Sequence, residues 1–127
     1  MTAPWTPLED ALGDLGRISD VKAAAVVRRD GLVVVHTLPD GIDPKVVAAM
    51  LAAIVGASEM ATDALEQGRF QRAIIESDEG KLLSTGAGEE ALLVALVYSD
   101  ANLGLVLMAM EKAARRIEEI LSKEAVA

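Results

Sequence analysis

At 127 residues the chain suffices for one domain, residues 1–127 with a core over about 8–121, burying roughly two-thirds of the surface its unfolded form would expose. A net charge of −8 opposes a phosphate-binding surface, and Trp5, Phe70 and Tyr98 are the only aromatic rings available to stack on bases, so nucleic acid is not an expected partner. The lack of cysteine removes disulfide and thiolate chemistry, and the amino terminus MTAPWTPLED lacks the basic and apolar regions of a signal peptide, which makes the cytoplasm the expected location.

Leu8, Ala11, Leu12 and Leu15 recur at helical spacing and predict a first helix over residues 7–15, stopped by Gly16. Residues 21–28, VKAAAVVR, and 32–38, LVVVHTL, read as two strands joined at Arg29-Asp30-Gly31. Asp-Gly between apolar runs is a strong hairpin signal, and the expected turn is type I′, with positive φ at both central positions. After Pro39-Asp40-Gly41, Asp43 is placed to cap a second helix with Pro44 in its first position, running to about Gln67 and stopping at Gly68. Residues 70–77, 81–85 and 91–98 then read as three strands separated by short loops, an antiparallel meander. A last helix over residues 103–121, capped by Asp100 or Asn102, carries an apolar stripe at 103, 106, 110, 113, 117 and 120. Glu111 and Arg115, four apart, are placed to pair on its solvated side.

The order αββαβββα describes an α+β, three-layer α/β/α fold. The first and fifth strands are apolar on both faces and must lie in the middle of the sheet. Joining the hairpin to the meander through them gives the antiparallel order 2-1-5-4-3, with strands two and three at the edges. The second helix then crosses one face from edge to edge, and the first and third helices cover the other.

Residues 46–58 are thirteen consecutive uncharged residues in a chain that is 25% charged. Such a run falls short of the roughly 20 residues that span a membrane, so protein is expected to cover it and no membrane insertion is expected. On a helical wheel Val47, Leu51, Ile54, Ser58, Ala61 and Leu65 form the expected sheet-facing stripe. Ala49, Ala53, Gly56 and Met60 form a second line on another side, with Val46, Ala57 and Ala64 beside it. A row of small residues admits a second helix at close range, and the edge strand that follows offers Ala73, Ile74 and Ile75 guarded only by Arg72 and Glu76. The expected assembly is a symmetric homodimer that packs helix two on helix two and strand three on strand three, in one sheet of ten strands. The alternative is a lightly exposed surface filled with alanine because alanine is a good helix former.

Little in the sequence supports catalysis. His36 is the single histidine, so neither a metal cluster nor a hydrolytic triad with Ser84 or Ser99 can be assembled, and no metal or other cofactor is expected. Gly80-Lys81 precedes leucine rather than the serine or threonine of a phosphate loop, and Gly86-Ala87-Gly88 precedes glutamates that repel phosphate. Asp78-Glu79 and Glu89-Glu90 read as solvated loop carboxylates rather than an acid/base pair.

The element order, the VVRRDGLVV hairpin, the LPDGIDPKVVAAM start of helix two and YSDANLGLVLMAM at the last helix together resemble the Roadblock/dynein light chain family, over about residues 8–121. The resemblance implies a profilin-like fold and dimers of the kind inferred above. It implies a regulator or adaptor of a small Ras-like GTPase that acts by binding and has no active site of its own. In some relatives that role is activation of the GTPase. The dimer surface carried over comprises Val46, Ala49, Met50, Ala53, Gly56, Ala57 and Met60 of helix two with Ala73 and Ile75 of strand three. Glu59, Asp63 and Glu66 are the expected contacts to a partner GTPase, and Arg28 or Arg29 could reach it too, although the turn they flank argues against an arginine finger. A second Roadblock-like chain in a heterodimer, a purely structural subunit of a larger assembly and a small-ligand sensor are the other readings.

Overall fold

The computed structural model describes residues 5–126, and their side chains over residues 7–123. Residues 1–4 and 127, including the first four residues of MTAPWTPLED, lie outside the described residues, as does the side chain of Trp5. The elements are α1 (Trp5–Gly16), β1 (Val21–Arg28), β2 (Val33–His36), α2 (Pro44–Ala64), β3 (Arg72–Ser77), β4 (Gly80–Gly86), β5 (Ala91–Val97) and α3 (Leu103–Val126).

The five strands form one antiparallel sheet in the order β2-β1-β5-β4-β3, as the strand compositions require. Central β1 and β5 are buried along almost their whole length, because both of their faces are covered. Side chains alternate between two cores. Ala24 and Val26 of β1 and Leu93 and Ala95 of β5 join Leu8, Leu12, Val106, Met110 and Ile117 of α1 and α3. Ala25 and Val27, with Leu92 and Val94, point the other way onto Ala48, Leu51 and Val55 of α2. Leu51 is 1% exposed, so truncating it to alanine costs about 2–5 kcal/mol.

Local chemistry sets the ends of the elements. Asp43 caps α2 through its carboxylate, which accepts the Lys45 N–H at 2.9 Å, and Pro44 occupies the first turn where no N–H is needed. Asn102 caps α3, its Oδ1 accepting the Leu105 N–H at 3.1 Å, and Asp20 accepts the N–H of Asn102 itself. The first hairpin differs from the expected type I′ turn. Only Gly31 has positive φ, 93°, and its N–H donates to the Arg28 carbonyl at 2.9 Å. Arg29 and Asp30 therefore form a type I turn closed by a left-handed glycine, the three-residue solution that still matches the strand twist.

Two further expectations are corrected. α2 ends at Ala64 rather than Gln67, because Glu66 turns left-handed at φ 55° and the N–H of Gln67 returns to the Thr62 carbonyl. The stop therefore comes before Gly68. Glu111 reaches across to Arg72 of β3 at 3.9 Å instead of pairing with Arg115 along its own helix.

Candidate functional site

The residues of α2 that are buried against the sheet are Ala48, Leu51 and Val55. This stripe is turned from the expected one by about 80°, taking about 100° per residue. Val47, Ile54 and Ser58 are half-buried on its margin, and Ala61 and Leu65, expected in the core, are exposed. The helix is seated by the packing of Ala48, Leu51 and Val55 on Ala25, Val27, Leu92 and Val94, and the Arg29–Glu59 contact lies beside that seat.

The side of α2 turned away from its own sheet carries the residues singled out in the sequence. Val46, Ala49, Met50, Ala53, Ala57 and Met60 are exposed, Val46 and Met50 to 51% and Met60 to 73%, while Gly56 is half-buried. Exposed Leu65, at 69%, and Ala61 widen this apolar face by a further flank. Lys45, Glu59 and Asp63 are the only charged residues of α2, and they fall within about 40° of one another on the opposite flank. More than a third of the helix circumference is thus apolar and uncovered, a far larger apolar exposure than scattered surface residues produce. α2 is, by length and composition alone, also long and apolar enough to cross a membrane, and only 22% of its most apolar stretch is buried. The residues flanking the uncharged run of thirteen extend it to a spanning length, and Ala48, Leu51 and Val55 are seated on the sheet of the protein's own fold.

Strand β3 is the second component. It pairs only with β4, so its outer edge is free, and all of its residues but the half-buried Ala73 are exposed. Ile75 stands opposite Leu82 and Ala73 opposite Ser84, which puts both on the α2 face of the sheet, whereas Ile74 stands opposite Leu83 on the α3 face. The α2 face below the helix is open as a groove of about 470 Å³ between Ile42, Ile75, Leu82 and Leu96.

The charged candidates are dispersed. Glu59 is not free for a partner: both of its carboxylate oxygens accept from Arg29 Nη1 at 2.8 Å. Arg28 binds Asp30 inside its own turn at 2.6 Å. Asp63 and Glu66 are exposed without an ion pair among the described residues. Arg29 also lies against Gly86, one side of a cleft of about 770 Å³ bounded by Arg69, Phe70 and Glu118. Arg29 also donates from Nη2 to the Gly88 carbonyl at 3.4 Å; an arginine so held is a brace between the hairpin and α2, and would need to break these contacts to reach a partner's phosphates.

The Roadblock/LC7 domain profile matches residues 7–97, from α1 through the end of β5. The chain belongs to the Roadblock/LC7 family. An uncharacterized protein of Methanocaldococcus jannaschii is 35% identical over 111 residues, 87% of this Roadblock chain and 96% of the relative. Among solved structures, an MglB with a tetrameric arrangement is 25% identical with a TM-score of 0.88, covering 97% of this chain and 93% of that one. The gliding protein MglB from Thermus thermophilus is 24% identical with a TM-score of 0.87, over 97% and 94% of the two chains. The Roadblock fold expected from VVRRDGLVV and its companion segments is therefore the fold of this chain.

Sequence reasoning missed Ala61 and Leu65 as surface residues. The signal was the 3–4 spacing of Ala48, Leu51 and Val55, which the larger side chains at 54 and 65 outweighed on the wheel.

Proposed function

We propose that the protein is a dimeric regulator or adaptor of a small Ras-like GTPase, acting by protein–protein binding. The observation that carries the reading is the uncovered apolar face of α2 beside the free edge of β3, in a chain of the Roadblock/LC7 family. Helix-on-helix packing through Ala49, Ala53 and Gly56, with Val46, Met50, Ala57 and Met60 at its margins, removes that face from water. Pairing β3 with β3 through Ala73 and Ile75 satisfies the edge. The likeness to an MglB in a tetrameric arrangement supports an assembled form. Asp63 and Glu66, exposed beside the apolar face, are the charged groups available to a GTPase; regulation then comes from binding one nucleotide state more tightly than the other.

The test is affinity capture from the native lysate in parallel with GDP and with a non-hydrolysable GTP analogue. Retention of a small GTPase in one nucleotide state only is the expected result, and it supplies the substrate for a hydrolysis assay that separates activator from adaptor. Equal retention of one non-GTPase protein in both states overturns the reading in favour of a structural subunit.

A further inference from the structure

On the face of the sheet opposite α2, helices α1 and α3 leave a groove of about 490 Å³ between them. Its floor is apolar, made by the half-buried Ala109 and Ala113 with the buried Ala11 and Leu15 beneath. Its rim is cationic: Arg17, Lys112 and Arg116 surround one carboxylate, Asp14. Asp14 is already shared, accepting from Arg116 Nη1 at 2.8 Å and lying 3.6 Å from Arg17 Nη1, while Lys112 has no ion pair among the described residues. Three cations against one carboxylate leave the rim with an excess of two positive charges, in a chain whose net charge is −8. The cleft at the end of α3 has the opposite character, lined by Glu89, Glu90 and Glu118.

We propose that this groove docks an acidic amphipathic helix of a partner protein, its apolar side on the alanine floor and its carboxylates against Arg17, Lys112 and Arg116. Two small half-buried residues, Ala109 and Ala113, let the backbone of another helix approach closely. Groups of one sign around an apolar floor select a complementary partner and speed its encounter. A free phosphate or carboxylate is a poorer match, because the alanine and leucine floor offers no side-chain donor and the cations stand in solvent. The site is complete within one chain, so it does not depend on dimer formation. It gives the molecule a second docking face, back to back with α2, as an adaptor requires.

The test is a titration of isotope-labelled protein, followed by amide NMR shifts, with a synthetic helical peptide bearing Leu and Ala on one side and Glu on the other. A copy with every Glu replaced by Lys, and phosphatidylglycerol vesicles, are run in parallel. The acidic peptide is expected to shift the amides of Ala11, Arg17, Ala109 and Lys112 and to bind more weakly as salt is raised. Arg17→Glu and Lys112→Glu are each expected to weaken it about fivefold or more. Both side chains are exposed, and unchanged thermal melts of the variants verify that the fold is intact. No shift at the groove at millimolar peptide, equal binding of the Lys peptide, or shifts confined to α2 overturns the proposal. Vesicle binding that the same two substitutions abolish, with no peptide binding, reassigns the surface to lipid headgroups.

Discussion

Arg29, just past the end of β1, and Glu59, in the second half of α2, are joined by two hydrogen bonds of 2.8 Å. The pair ties the first hairpin to the second half of the helix that crosses above it, and Gly31 of the same hairpin approaches the first half, within 3.6 Å of the Ala49 Cα measured from the Cβ a side chain would add. Glu59 is 42% exposed, so solvent screens much of the attraction. Glu59→Ala is expected to lower stability by about 1 kcal/mol, with Arg29→Ala adding little in the double variant. Urea unfolding of the four-member cycle measures the coupling; strictly additive losses would show that the two side chains act separately.

Ser84 is 1% exposed, on the α2 face of β4, and its hydroxyl has no hydrogen-bond partner among the described residues. A buried hydroxyl without a partner costs free energy that alanine avoids. Ser84→Ala is expected to raise stability by about 0.5–1 kcal/mol. A loss instead, in denaturant or thermal unfolding, would mean that the hydroxyl is satisfied by a bound water.

Gly80 opens β4 so close to β5 that an added Cβ would lie 2.9 Å from the Val97 carbonyl oxygen and 3.0 Å from Lys22 Nζ. The lysine can swing away, but the strand cannot move without disturbing its ladder. Gly80→Ala is expected to cost about 1–3 kcal/mol, read as a lower midpoint in urea. An unchanged midpoint would show that the two strands separate freely at this end.

The proposed dimer separates from the fold by mutation. Ala53→Glu on the outer face of α2 and Ile75→Lys on β3 alter exposed positions, so each is expected to halve the mass seen by light scattering while the circular dichroism spectrum is kept. Leu65→Glu is the companion. If it alone dissociates the protein, the contact lies along the Ala61–Leu65 flank and not along Ala49, Ala53 and Met60. Gly56→Ala adds a further distinction: nothing lies within 4 Å of the Cβ it creates, so a monomer gains about 1 kcal/mol of helix propensity, whereas a close helix pair is pushed apart.

The sheet was legible in the sequence because its two central strands are apolar on both faces, a property that few positions in an antiparallel sheet tolerate. Asp43-Pro44 marked the start of α2 unambiguously, since a cap and a missing N–H coincide there. The far end was not legible: Glu66 adopts the left-handed conformation two residues ahead of Gly68, and a charged residue carries no sequence mark of that choice. The rotation of α2 was missed for a related reason. A wheel ranks residues by apolar character, so Ile54 and Leu65 outweighed the smaller Ala48 and Val55, which with Leu51 are the residues that pack on the sheet. The Arg29–Glu59 contact, thirty residues apart in sequence, withdraws two of the charged residues expected to meet a partner. The groove between α1 and α3 had no sequence signature, because its floor and rim come from helices separated by the whole sheet.

A helix that shows water so wide an apolar face gives the newly made chain a fate that depends on its neighbours. Under the proposed dimer, a copy that meets its partner promptly would hide Val46, Met50 and Met60; a copy made in excess would leave them displayed, in the form that chaperones and proteases recognise in unassembled subunits. The thermal midpoint should then rise with protein concentration, since association stabilises whatever it buries. Abundance in the cell would follow the supply of partners rather than the rate of synthesis alone.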